Sequence, residues 1–232
     1  MSMLVTWFWL GAIAMAIGTV ALAYGFRLVP RQNWRRYSIL VAVPAIAVGA
    51  YILLAFEVGV LETQAGDPLF SMRYVDWLLT TPLHVLYLGL LAGATLGAIN
   101  RSLVLMALTI IFGFAGAYVV GPMKWVLFAA GSVAFVGVIY YAYTEFDRAV
   151  QAKDGRTVAL FWKLRAFLVI LWLVYPAIWM VSPFGVGFMN VETAALVLSY
   201  LDVVAKVGFG FIALSGQLSI TERGTETEIA AD

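Results

Sequence analysis

Seven long apolar runs leave this chain little choice of fold. They fall roughly at residues 3–25, 37–59, 72–97, 101–121, 124–148, 157–182 and 190–219, joined mostly by short connections. A membrane span takes about 20 apolar residues. Inside lipid the backbone must satisfy its own polar groups, so runs of this kind fold as helices. The expectation is an all-α, multi-pass protein of the cell membrane. One seven-transmembrane-helix bundle covers 1–220, and a polar, disordered cytoplasmic tail covers 221–232. The opening MSMLVTWFWLGAIAMAIG has no basic region and no clear cleavage site, so it reads as the first span and not as a removed signal peptide.

Composition narrows the function. Only 12% of residues are charged, against about 25% in a soluble domain, so no additional soluble domain is expected. A formal net charge of +1 gives no basis for nucleic-acid binding. The chain has no cysteine and a single histidine, which argues against disulfides, thiolate sites and a metal centre. Gly and Ala occur throughout the spans, so association into a homo-oligomer is left open.

Basic residues near span ends set the orientation. Arg27, Arg31, Arg35 and Arg36 lie between the first two runs, and Arg148, Lys153 and Arg156 between the fifth and sixth. The even-numbered connections are poor in basic residues, with Lys124 the main exception. The N-terminus is therefore expected outside and the C-terminus in the cytoplasm. The longest outer connection, EVGVLETQAGDPLFSM, carries Gly and Pro and is expected to hold a short hairpin.

Lys206 lies near the middle of the last run, in SYLDVVAKVGFGFIAL. A charge at the centre of a membrane helix costs about 2.5–3.5 kcal/mol on insertion scales, so it needs a partner or a task. Asp202, four residues earlier, shares its helical face. One reading is a buried ion pair that fixes helix packing. The other is an amine that forms a Schiff base with a carbonyl compound, with Asp202 as counter-ion.

The third run, SMRYVDWLLTTPLHVLYLG, is the other informative stretch. Asp76, Thr80, His84 and Tyr87 follow one another at i, i+4, i+8 and i+11, with Arg73 three residues before Asp76. This polar stripe inside the membrane is either glue between helices or a proton relay. In the sixth run Trp172, Tyr175 and Trp179 share a face, and Pro176 among them frees a backbone carbonyl. Trp7, Trp9 and Trp34, near span ends, fit interfacial anchors.

RYVDWLLTTPL in the third run, WLVYPAIW in the sixth and LDVVAKVGFG in the seventh together resemble the microbial (type 1) rhodopsins. The motifs stand in the family's order, and the resemblance covers essentially the whole chain. It implies a bundle enclosing retinal, bound covalently to Lys206 as a protonated Schiff base. Asp76 would be counter-ion and proton acceptor, Asp202 the second counter-ion, and Arg73 the guanidinium on their outer side. Trp77, Trp172, Tyr175 and Trp179 would wall the polyene, with Thr80 and Thr81 beside it. Tyr51 would bond toward Asp202, and Phe128, Gly131 and Ser132 would lie near the ionone ring.

Within that family the choice lies between sensor and pump. Asp76 argues against a chloride pump. Bacteriorhodopsin-type proton pumps carry a carboxylic acid eleven residues beyond the acceptor, where this chain has Tyr87. A phenol, with an ordinary pKa of about 10, is a poor donor at neutral pH. Those pumps also carry a glutamate where Ala194 stands; Glu192, two residues away, is the available substitute, although half a helical turn changes its direction. Both departures imply a slow photocycle, which suits a sensor. YLDVVAKVGFGFIAL and GFAGA look like sensory rhodopsin II, a phototaxis receptor. Tyr200 and Asn190 fall where that group touches a two-helix membrane transducer. Ala205 departs from its pattern, and with it Tyr175 loses a threonine partner, a mixture that looks like the middle rhodopsins. The resemblance thus implies a light sensor signalling to a transducer, not an enzyme, with a weak outward proton pump as the alternative. His84 stands where relatives are aliphatic. It is either a neutral histidine bonded to a neighbouring helix or a residue packed on the polyene that alters isomer preference or reprotonation.

Overall fold

The computed structural model describes residues 2–229, and the side chains of 2–220. The tail expected to be disordered, 221–232, lies outside the residues described in full, and 230–232 lie outside the description altogether.

Seven stretches are long and apolar enough to cross a membrane: Met3–Arg27, Arg31–Ala55, Ser71–Ala92, Leu96–Tyr118, Pro122–Val150, Gly155–Val181 and Val191–Ile220. They match the seven expected runs. Their helices are α1 (Met3–Tyr24), α2 (Trp34–Ala55), α3 (Ser71–Ala92), α4 (Leu96–Tyr118), α5 (Pro122–Tyr143), α6 (Glu145–Val150), α7 (Gly155–Val181), α8 (Val191–Val203) and α9 (Phe209–Ile229).

Local chemistry sets several of the starts. Ser2, Thr95, Asp154 and Asn190 each accept a backbone N–H from the first turn of α1, α4, α7 and α8. Pro122 opens α5 at a position where a missing N–H costs nothing. Gly93, at φ 72°, ends α3 in the left-handed region that a glycine enters freely, five residues before the expected end. The fifth run is not one helix: it breaks at Thr144, and the short α6 follows, which the apolar pattern did not foresee.

Successive helices from α1 to α5 pack side by side, while α8 on α1 and α9 on α7 complete the bundle. The expected hairpin is present in the long connection. Strand β1 (Val60–Glu62) pairs antiparallel with β2 (Pro68–Phe70), with Leu61 opposite Leu69. Buried Leu69 and part-buried Phe70 turn it onto one end of the bundle.

Two features of the backbone shape the interior. Between α8 and α9 the seventh span loosens into a π-helical turn, Val204–Gly208, which contains Lys206. Such turns interrupt the regular i→i−4 ladder and often mark functional sites. On α1, Gly11 lets the Tyr51 ring approach so closely that a Cβ there would lie 2.4 Å from Tyr51 Cε1. Gly18 does the same for Val207 of the π turn, again at 2.4 Å.

Candidate chromophore site

The third and seventh spans run parallel and meet along three rungs: Asp76 with Lys206, His84 with Phe209, and Tyr87 with Gln217. The ionisable cluster occupies the first rung. Lys206 Nζ, 3% exposed, donates to Asp76 Oδ2 at 2.8 Å and lies 3.3 Å from Asp202 Oδ1. Arg73, also buried, places Nη1 3.5 Å from Asp202 Oδ2. Two cations thus face two carboxylates, so the cluster is close to neutral, which is how charges persist in a dry interior.

The two carboxylates are held very differently. Asp202 accepts from Tyr51 Oη at 2.6 Å, from Trp77 Nε1 at 2.9 Å and from Tyr175 Oη at 2.9 Å. Asp76 is approached by Lys206 and, at 3.4 Å, by the Thr80 hydroxyl, whose shorter bond of 2.7 Å goes to the Asp76 backbone carbonyl. A carboxylate held by several donors keeps its charge. Asp76, with fewer, is the one placed to take a proton from Lys206.

Beyond the cluster lies a cavity of about 160 Å³. Trp77, Thr81, His84, Phe128, Gly131, Ser132, Trp172, Tyr175 and Trp179 line it, and Lys206 and Asp202 stand at one side. Phe128 stacks on Trp179 with centroids 4.6 Å apart and planes at 21°. Trp77 meets Tyr175 edge to face at 5.3 Å.

The expected residues therefore converge, with specific differences. Thr81 lines the cavity as expected, but Thr80 does not: it is fully buried one turn beyond Asp76 and serves that residue. Tyr51 bonds Asp202 as expected. Tyr175, which lacks the threonine partner, has Asp202 instead. Trp77 is both wall and donor, a double role its place in the motif did not disclose. His84 Nδ1 lies 3.0 Å from the Thr80 carbonyl on its own helix, and the backbone of Ala205 on the neighbouring seventh span also makes a weaker hydrogen-bonding contact with the ring. Its ring meets Trp172 and Phe209 edge to face. Ala194 is buried and lines the cavity, whereas Glu192 is exposed on the first turn of α8 and stays out of the cluster. Gln217 Nε2 donates to Tyr87 Oη at 2.7 Å, and both are buried. A lone amide in the run FIALSGQLSI was the available signal for that contact, and the sequence reading passed over it. Tyr200 is 68% exposed, and Asn190 is exposed while its side chain caps α8.

These features define a class: a seven-span membrane protein with a buried amine flanked by two carboxylates and opening on an aromatic cavity. The chain belongs to the bacteriorhodopsin-like protein family, whose profile matches residues 2–220. It is 48% identical to sensory rhodopsin-2 of Haloarcula vallismortis over 231 residues, covering 98% of this chain and 97% of that one. It is 39% identical to sensory rhodopsin-2 of Natronomonas pharaonis, covering 99% and 95%. Among solved structures it is similar to the thermophilic rhodopsin from Rubrobacter xylanophilus, with TM-score 0.89, 28% identity and coverage of 93% and 97%. The family implies a retinal chromophore. The residues present fit one: a buried amine, a cavity lined by apolar and aromatic side chains, and buried negative charge beside the nitrogen.

Proposed function

We propose that this protein is a retinal-based light sensor of the sensory or middle rhodopsin type, with a slow photocycle and a membrane transducer as its partner. Lys206 Nζ would hold retinal through its aldehyde carbon, and the chemistry so supplied would be a light-driven isomerisation.

The chain's own residues do the rest. In the dark, Lys206 Nζ holds its positive charge between Asp76 and Asp202. Light weakens that arrangement, and the proton passes from Nζ to Asp76 Oδ2, its neighbour at 2.8 Å. Asp202 stays ionised, held by Tyr51, Trp77 and Tyr175. Trp172 and Trp179 exclude water and convert the isomerisation into movement of α7. Tyr200, exposed on α8, and Asn190 at its start are the proposed transducer contacts, with the N-terminus outside.

The observation that carries the sensor reading over the pump reading is Tyr87. It is buried, capped by Gln217, and offers no carboxylic acid to reload Lys206. Reloading without a carboxylic acid is slower than in a pump, so the deprotonated state lasts longer, as a signalling state must. Weak outward pumping remains the second reading, because the Lys206–Asp76 geometry serves the first step of either.

The test is light-induced pH change in cells carrying retinal-reconstituted protein, with and without a protonophore, normalised to pigment. Little change with visible pigment is expected. Strong acidification abolished by the protonophore would establish the pump instead. Lys206→Ala should form no pigment, and a normal pigment in that variant would remove Lys206 from its role.

A further inference from the structure

We infer that His84 exchanges a proton with the Lys206 nitrogen from the side away from Asp76, taking the place of the carboxylic donor that Tyr87 displaces. The inference rests on the proposed retinal reading, and it starts from position. His84 lies eight residues beyond Asp76 on α3, about 12 Å farther along the axis. It is 1% exposed and lines the same cavity as Lys206. On the ladder between the third and seventh spans it occupies the rung after Lys206 and before Tyr87.

Its ring is held in a definite way. Nδ1 faces the Thr80 carbonyl at 3.0 Å. A carbonyl oxygen only accepts, so Nδ1 carries the hydrogen and the neutral ring leaves Nε2 bare. Nε2 is buried and completes no hydrogen bond of ordinary geometry with a described residue, although the Ala205 backbone of the seventh span approaches the ring closely enough to act on it as a weak hydrogen-bonding contact. A polar atom in that state has a cost, and a site that tolerates the cost commonly has a use for the atom.

The groups around it decide when the ring can charge. The π turn presents Lys206 and α8 presents Asp202, the ionisable groups that act on it most directly. Trp172 of α7 and Phe209 of α9 are apolar, and Tyr87 stands on the far side of Phe209. While Lys206 is charged, a second cation beside it in a dry interior is disfavoured. Once Lys206 has given its proton to Asp76, that repulsion is gone. Nε2 then takes a proton from solvent on the Tyr87 side and passes it across the cavity to Lys206 Nζ. The ring returns to its Nδ1–H form. One proton enters from solvent and one reaches Nζ, so the exchange balances, and at no stage are both groups charged.

The experiment follows dark recovery after a flash, from low to high pH, in the wild type and in His84→Leu and His84→Gln. Recovery through a titrating donor is flat with pH when the donor is loaded and falls tenfold per pH unit once it is not. Direct delivery from solvent falls tenfold per unit throughout. The wild type should show the bend. Both variants should lack it, recover about 10²-fold more slowly where the wild type is flat, and regain speed with added imidazole. Identical profiles in wild type and variants overturn the proposal. Nitrogen NMR of the retinal-free wild type supplies an independent reading. It should show neutral His84 with hydrogen on Nδ1, and a hydrogen on Nε2 overturns the proposal. Absence of pigment in the wild type would count against the retinal reading itself, while the NMR result still decides the ring's state.

Discussion

Tyr51 shows how one side chain can secure the charge balance of the interior. It reaches from α2 to Asp202 at 2.6 Å, and Arg73 Nη1 donates to its oxygen at 3.4 Å. Removing that hydroxyl takes a hydrogen bond from a buried carboxylate, a loss of about 1.5–3 kcal/mol for a charged acceptor. Asp202 keeps Trp77, Tyr175 and Lys206, so Tyr51→Phe should still fold and form pigment, with a loss near the lower end of that range. Unfolding of the purified pigment in denaturant measures it, and a stability equal to wild type would mean the remaining donors suffice. Little of this was legible beforehand. The family resemblance implied Tyr51 as a partner of Asp202, but the parts played by Trp77 and Tyr175 depend on where three separate helices bring their polar tips. Residue spacing along one helix carries no record of that.

At the scale of elements, the apolar runs gave the helices because the bilayer forces length and hydrogen bonding together. Where that pressure is absent, the reading failed. The short α6 lies at the bundle end, where Asp147 pairs with Arg165 and accepts from Trp162 Nε1 at 3.0 Å. Its cause is a set of contacts with α7 that no periodicity announces. The π turn was hidden for another reason: five residues of VAKVG look like any apolar helix, and only their packing against Gly18 and around Lys206 sets them apart. The start of α7, by contrast, can be tested from its local chemistry. The Thr157 hydroxyl donates to Asp154 at 2.6 Å, joined by the N–H groups of Thr157 at 3.0 Å and Arg156 at 3.1 Å. The Thr157 hydroxyl first, and then these N–H donors, hold the Asp154 carboxyl below its usual range. A group lowered in the folded state contributes stability above its unfolded pKa of about 3.9 and loses that contribution as pH falls through the folded value. Asp154→Ala should therefore cost about 1 kcal/mol near neutral pH. The gap from wild type should close in acid. Thermal unfolding of both proteins between neutral pH and pH ~3 reads the difference, and a gap that persists in acid would mean the cap acts without its charge.

For the whole molecule, charge placement and the ladder of the third and seventh spans define two distinct ends. Arg27, Arg31, Arg35 and Arg36 lie in or beside the α1–α2 connection, and Arg148, Lys153 and Arg156 in or beside the one that leads into α7. This is the end toward which α3 runs from Asp76 through His84 to Tyr87. The hairpin and Arg73 belong to the other end. Basic connections remain on the cytoplasmic side, so the hairpin should face outward and the Tyr87 end inward. The chain has no cysteine, which makes a single introduced thiol an unambiguous marker. Ala65, in the turn of the hairpin, and Ala152, before α7, are both exposed. Ala65→Cys should react with a membrane-impermeant maleimide on intact cells, and Ala152→Cys only after permeabilisation. The reverse pattern would invert the orientation and every directional statement with it. The expected pattern would give the proposed proton steps a direction: transfer from Lys206 to Asp76 would be a step toward the outside, and any proton that His84 collects would come from the cytoplasm. A slow inward-side reload would then limit net transport without preventing the first step, which is how a sensor and a weak pump can share one interior.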